Sequence, residues 1–384
     1  MTTSATIPKT AGTNPLKGLL EYGQSPWMDY IRRDLLDGGG LKKMIDADGL
    51  RGQTSNPSIF EKAIAESTLY NDILELPEAK SLNAKSLYEK VAIRDVQDAC
   101  DIFKPVYQST RRRDGYVSLE VSPYLANDEK GTLEEARRLW KTVGRENLMV
   151  KVPATPQGVP AIRQLLEDGL NINITLLFAQ SAYEQVAEAF LAGLEARALK
   201  GQDVSHSASV ASFFVSRIDT LVDSKVEEKL KSASGDAKAL LSSVEGKVAI
   251  ANAKLTYKKY QELFGGPRWK ALAAKGAQTQ RLLWASTSTK NPKYRDVLYV
   301  EELIGADTVD TIPPATFDAF RDHGKLRQSL TEDVPAAAKV MENLEKAGIS
   351  MKEVTHTLLE DGVKLFADAF KKLLDATGKY AGVK

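Results

Sequence analysis

Eight short strand candidates, separated by stretches of helical periodicity, constrain this chain more than any other feature; one of them, Leu50–Pro57, is weakly patterned because of its Gly and Ser. They centre near residues 28, 52, 118, 149, 174, 213, 284 and 310. Tyr116–Ser122, Asn147–Thr155, Leu170–Phe178 and Thr308–Ile312 are the clearest. Each is closed by glycine or proline: Gly115 and Pro123, Gly144 and Pro153, Gly169, and Pro313-Pro314. Trp27–Arg32, Leu50–Pro57, Val210–Ser216 and Arg281–Ser288 supply the other four. Runs with this little polar alternation suit strands covered on both faces. Strand and helix alternating over some 300 residues imply a parallel sheet with right-handed crossovers. Eight strands favour an α/β fold closed as a single (β/α)8 TIM barrel over an open doubly wound sheet. No GxGxxG follows the first strand to suggest a dinucleotide site.

Between the runs, Ser58 is expected to cap a helix, and residues 65–110 read as mainly helical. Thr132 with Glu135 forms a capping-box pattern before Ala136. Residues 221–280 are too long for one crossover. From Asp333 to Tyr380 the tail is helical, with Val354, Leu358, Val363, Phe366, Phe370 and Leu373 in one apolar stripe broken by Gly362 and packed on the barrel. Additional helices are therefore expected between strands 2 and 3, after strand 6, and at the C-terminus (about 330–380). Residues 1–15, which carry Thr, Ser, Pro and Gly but no apolar core, read as a flexible extension, and 16–384 as one barrel domain.

Lysine plus arginine (52) against acids (51) leaves a net charge of +1, which makes no case for nucleic acid or an anionic membrane as partner. No run approaches the ~20 apolar residues of a membrane span, and no secretory leader opens the chain. The single cysteine, Cys100, excludes an intrachain disulfide and reads as a buried thiol. Three histidines (His206, His323, His356) argue against a His-based zinc site. The expectation is a cytoplasmic protein without metal or cofactor.

Barrels of this class carry their chemistry at the C-terminal ends of the strands. Here those ends hold Asn56, Glu120, Lys151, Asn173 with Thr175, Ser212 with Arg217, and Ser286 with Ser288 and Lys290; Asp29 lies in the first run. Lys151 is bracketed by Leu148, Met149, Val150, Val152 and Pro153. An ammonium in such a strand loses hydration, its pKa falls, and a nucleophilic amine becomes populated, which is the chemistry of a Schiff-base lysine. Taken alone, a lysine at a strand end more often snorkels or pairs, and Arg217 alone reads as a surface salt bridge to Asp219 or Glu227. Six successive polar strand ends favour a functional mouth. Arg217, Lys290 and the serines suit a phosphate group, whose oxygens match a guanidinium fork and hydroxyls.

Several of these segments, in order, resemble the transaldolase family. They are Thr54-Ser-Asn-Pro-Ser58, Val150-Lys-Val-Pro-Ala-Thr-Pro-Gln-Gly158, Gly169-Leu-Asn-Ile-Asn-Ile-Thr-Leu-Leu-Phe178 and Ser212-Phe-Phe-Val-Ser-Arg217. The resemblance covers roughly residues 25–375. Trp27-Met-Asp29, Gly38–Gly40 and Trp284–Lys290 resemble the longer bacterial subfamily. The resemblance implies a (β/α)8 barrel without metal or cofactor. It implies transfer of a dihydroxyacetone unit from sedoheptulose 7-phosphate to glyceraldehyde 3-phosphate, giving erythrose 4-phosphate and fructose 6-phosphate, in the pentose phosphate pathway. Partners would be sugar phosphates, the protein a monomer or homodimer.

By the same resemblance Lys151 is the Schiff-base lysine, and Glu120 acts through a water that Thr175 holds. Asp29 takes the proton from the C4 hydroxyl. Asn56 and Asn173 position substrate hydroxyls; Ser212 and Arg217 bind phosphate, with Lys290, Ser286 and Ser288 as further ligands. Phe214 stands where related fructose-6-phosphate aldolases carry Tyr, and Glu120 where they carry Gln, so both side with transfer over simple cleavage. Aldolase-like cleavage is the nearest alternative; a non-catalytic sugar-phosphate-binding barrel is the alternative of another class.

Overall fold

Each strand candidate becomes a strand, and the strands close in chain order into a barrel in the computed structural model, which describes residues 14–382. They are β1 (Gln24–Asp29), β2 (Gly52–Thr54), β3 (Tyr116–Glu120), β4 (Leu148–Pro153), β5 (Ile172–Leu177), β6 (Ser209–Phe214), β7 (Arg281–Ala285) and β8 (Thr308–Ile312). All neighbours pair in parallel, β8 returning to β1. β4, β5 and β6 are buried at every position, as strands filled inside by side chains and covered outside by helices must be. The α/β barrel expected from the sequence is the fold observed.

The extra helices fall where the long connections required them: Pro57–Ala65 and Ala84–Ser109 before β3, four helices between Ser216 and Ala273 after β6, and Val334–Lys346 and Met351–Gly378 at the C-terminus. One contiguous apolar core runs from Leu16 to Ala376. Residues 1–13 of the expected extension lie outside the described residues. Asn14 and Pro15 belong to the fold, because the Asn14 side chain accepts from Leu16 N at 3.0 Å and caps a short helix begun by Pro15.

Several local expectations need correction. The first strand covers Gln24–Asp29 rather than 27–32, because its start pairs with β8 from Thr308 onward despite the weak local signal of Gln24-Ser25-Pro26. The cap of the Pro57 helix is Asn56, whose side chain accepts from Ile59 N, not Ser58. The helix expected to start at Thr132 begins a turn earlier, at Glu129, capped by Asp128. Glu135 instead accepts from Ser122 N at 2.6 Å and pairs with Lys85. Gly362 does not break the tail; it lies inside one 28-residue helix.

At the N-terminal end the barrel is closed by polar side chains. Arg281 meets Asp114 at 2.8 Å and donates to Ser25 Oγ at 2.8 Å, all three buried. Above them the Trp27 ring fits only because Gly52 has no side chain: a Cβ there would lie 2.5 Å from the indole. With that end filled, solvent reaches the interior from the C-terminal ends of the strands.

Candidate active site at the C-terminal mouth

The strand register brings the expected polar residues to one rim. Asp29 is level with Thr54, Glu120 with Lys151, Lys151 with Asn173, and Pro153 with Thr175. They surround a cavity of about 220 Å³ walled by Asp29, Asn56, Lys151, Thr175, Ser212, Phe214, Arg217, Ser286, Ser288 and Lys290. It opens into a wider funnel of about 650 Å³ that shares Asp29, Asn56, Arg217 and Lys290 with it.

Lys151 Nζ lies 3.3 Å from Glu120 Oε2, each side chain 7% exposed. The contact is an ion pair without hydrogen-bond alignment, since Glu120 Oε2 has no hydrogen-bond partner among the described residues. The amine's own hydrogen bond, to Ser55 O, is long at 3.5 Å. Burial pushes the Glu120 carboxyl up to about 7, against the pull of Lys151. Asp29 accepts from Thr54 Oγ1 at 2.7 Å. Its carboxyl is also raised by burial, opposed by Lys151, Thr54, Asn56 and Arg217. The site thus holds two carboxyls made more basic than usual on either side of one amine.

Thr175 and Arg217 add two more unpartnered buried atoms, Oγ1 and Nη1. A buried polar group without a partner is costly, and several gathered at one cavity mark a place built to be completed by a ligand. Arg217 meets no carboxylate among the described residues; its guanidinium stands 5.3 Å over the Phe214 ring, and Asp219 is engaged by Tyr299 and Ala249 N instead. The surface salt-bridge alternative therefore does not hold.

Two of the expected residues, Glu120 and Asn173, do not wall the cavity; Glu120 adjoins it only through Lys151. Asn173 is fully buried beside it, donating to Ser118 Oγ at 2.9 Å and accepting from Ser212 Oγ at 2.6 Å. Its place is to hold Ser212, which does line the cavity.

Two backbone irregularities shape this rim. Leu176 and Ser286 both have positive φ, 62° and 58°, which a residue with a Cβ adopts at a cost of order 1–3 kcal/mol. The β5–β6 register slips between Ile174 and Leu177, a bulge of the kind that re-aims side chains at barrel rims. Ser286 Oγ is 2.9 Å from Ser216 Oγ, and Ser288 Oγ accepts from Lys290 Nζ at 2.8 Å.

A family model described as transaldolase/fructose-6-phosphate aldolase matches residues 26–377. The chain belongs to this family. It is 48% identical to a transaldolase of Trichodesmium erythraeum over 367 residues, 95% of this chain and 97% of that protein. A transaldolase of Thiobacillus denitrificans is 45% identical over 95% of this chain and all of its own length. One from Neisseria gonorrhoeae is 43% identical over 94% and 98%.

Sequence reading passed over several residues of this family member's rim. Thr54 and Thr311, whose hydroxyls lie 2.7 Å apart, support Asp29. Thr287 donates to the buried Asp310 at 3.0 Å and so ties down the loop that bears Ser286, Ser288 and Lys290. Phe366, on the C-terminal helix, faces both the cavity and the funnel. The threonines at the ends of these strands were visible in the sequence, but the contacts they make join segments too far apart in the chain to be read from it.

Proposed function

We propose that this chain is a transaldolase working through a Schiff base on Lys151, and the observation that carries the reading is the buried Lys151–Glu120 pair at the barrel mouth. Breaking a C–C bond beside a carbonyl requires a sink for the electron pair, and a protonated imine is a stronger sink than a ketone. Lys151 Nζ attacks C2 of the donor ketose phosphate to give a carbinolamine. Glu120, through a water that the Thr175 hydroxyl suits, delivers the proton with which the hydroxyl leaves as water. Asp29 takes the C4 hydroxyl proton; the C3–C4 bond breaks, its electrons pass to the iminium, and an aldose phosphate departs. The three-carbon enamine then adds to the incoming aldose phosphate, and the same groups run the steps in reverse.

Arg217 receives the phosphate, with Ser286, Ser288 and Lys290 beside it. A charged fork at one end and a covalent anchor at the other hold the acceptor aldehyde against the enamine carbon. Asn56 serves the substrate hydroxyls. The whole described chain acts as one barrel unit, and sugar phosphates are its substrates.

The test is borohydride reduction in the presence of fructose 6-phosphate. A stable three-carbon adduct on Lys151 is expected by peptide mapping, together with sedoheptulose 7-phosphate formation when erythrose 4-phosphate is supplied. No adduct at Lys151 would sink the proposal. Dihydroxyacetone release that ignores the acceptor would favour the aldolase alternative.

A further inference from the structure

The C-terminal helix Met351–Gly378 is seated against the strand ends rather than against the barrel's flank alone. Gly362 meets the Leu176 side chain so closely that a Cβ would sit 2.9 Å from Leu176 Cδ2. Leu176 is the residue whose positive φ turns the end of β5 just after Thr175. Two turns further on, Phe370 packs edge-to-face on Tyr88 and Tyr124, with ring centroids 5.8 and 5.3 Å apart. Residues 362, 366 and 370 follow the i, i+4, i+8 spacing of one helix face, so both flanking contacts fix where Phe366 points. It points at the amine: Lys151 Nζ stands 5.4 Å from the centroid of the Phe366 ring. The same ring lines the inner cavity, which Lys151 also lines, and the outer funnel, which Lys151 does not, so it stands where one passes into the other.

We propose that Phe366 is a shielding residue that roofs the Lys151 nitrogen and decides whether the bound three-carbon unit is transferred or lost. The inference rests on the Schiff-base reading above. Two properties of the ring act together. Its negative face attracts the positive iminium nitrogen, which holds the covalent species in place. Its apolar bulk keeps water from the enamine. The losing reaction has a definite course: the enamine carbon takes a proton from solvent, restoring the iminium; water adds at C2; the carbinolamine collapses, releasing dihydroxyacetone and returning the free lysine. Each step needs solvent on the side that Phe366 covers.

The experiment compares the full chain with Phe366→Ala and Phe366→Leu. Reductive methylation by formaldehyde and cyanoborohydride, read by peptide mapping without substrate, reports access to the Lys151 amine independently of any turnover. Labelling of Lys151 should rise about tenfold in Phe366→Ala and about threefold in Phe366→Leu, relative to the other lysines, as apolar cover is removed. With fructose 6-phosphate, the ratio of dihydroxyacetone release to transfer onto erythrose 4-phosphate should rise in the same order. Phe366→Leu removes the ring face with little loss of bulk, so it keeps the proposal testable should the alanine variant fold poorly. Unchanged Lys151 labelling, or an unchanged release-to-transfer ratio, would overturn the roof. If the unaltered chain forms no borohydride adduct at Lys151, the Schiff-base reading fails instead, and the labelling rates still decide whether Phe366 covers the amine.

Discussion

Glu120 and Lys151 occupy level positions on adjacent strands, their charged ends 3.3 Å apart in a setting that exposes 7% of either side chain. Such a carboxyl is brought near neutrality, because burial raises it to about 7 while the ammonium beside it holds it from going higher. Its protonated form is the one that can give a proton to the departing carbinolamine hydroxyl. Raising the pH through about 7 removes that proton from the free enzyme, so kcat/KM should show a falling alkaline limb governed by this group. Glu120→Gln keeps the shape and loses the relay. It should lower kcat by about 10²–10⁴-fold and remove the inflection near neutrality. A variant with an unaltered pH profile of kcat/KM would take Glu120 out of the proton path.

Lys151→Met replaces the amine with a side chain of similar length and no nucleophile. Transfer should fall by at least about 10³-fold, since no other group can form the imine. The circular dichroism spectrum should stay the same. Loss of the ammonium also removes what holds the Glu120 carboxyl down, so that carboxyl should stay protonated to a higher pH, visible by its infrared carbonyl band. Retained transfer would mean that the covalent chemistry happens elsewhere.

Arg217 stacks on Phe214, and its Nη1 has no hydrogen-bond partner among the described residues. Arg217→Lys preserves the charge but not the planar fork. Losing a charge-assisted hydrogen bond of about 1.5–3 kcal/mol should raise KM for phosphorylated acceptors by about 10- to 100-fold. Glyceraldehyde without phosphate should be used as before. Equal effects on both acceptors would show that Arg217 supports the barrel rather than the phosphate.

The sequence was most legible where burial leaves no choice of residue. β4 and β5 are buried at every position and mostly apolar, so their runs stood out, and a lysine within β4 was conspicuous for the same reason. β1 was misplaced by three residues because Gln24, Ser25 and Pro26 owe their strand conformation to pairing with β8, which local propensity does not record. Glu135 suited a capping box, but tertiary contacts with Ser122 and Lys85 claimed it. The tail's apolar stripe was visible, yet its use was not. That Phe366 meets the amine while Phe370 meets Tyr88 depends on where the helix crosses the barrel, and that is set by the Gly362–Leu176 contact. Asn173 was legible as a polar strand residue, but its burial beside the cavity follows from the register.

Asp310 is fully buried on β8; among the described residues its side chain accepts one hydrogen bond, from Thr287 Oγ1, and burial pushes its carboxyl up to about 8. In the unfolded chain the same group would titrate near 3.8. Between those values the folded state holds a proton that the unfolded state has lost, so stability is complete at low pH and declines as pH rises through about 8. One such proton gives a slope of about 1.4 kcal/mol per pH unit. Glu120 and Asp219, both raised to about 7, add slopes of the same sign, so the contribution of Asp310 has to be read by difference. Asp310→Asn cannot ionise and still offers Thr287 an acceptor. Urea unfolding at pH 6 and pH 9 should therefore show a smaller loss of stability in the variant than in the unaltered chain. Because Thr287 belongs to the loop carrying Ser286, Ser288 and Lys290, KM for sugar phosphates should also hold up better at pH 9. Identical pH slopes in the two proteins would mean that Asp310 is ionised in the folded state, and that the carboxylate is accommodated there at no cost to the loop.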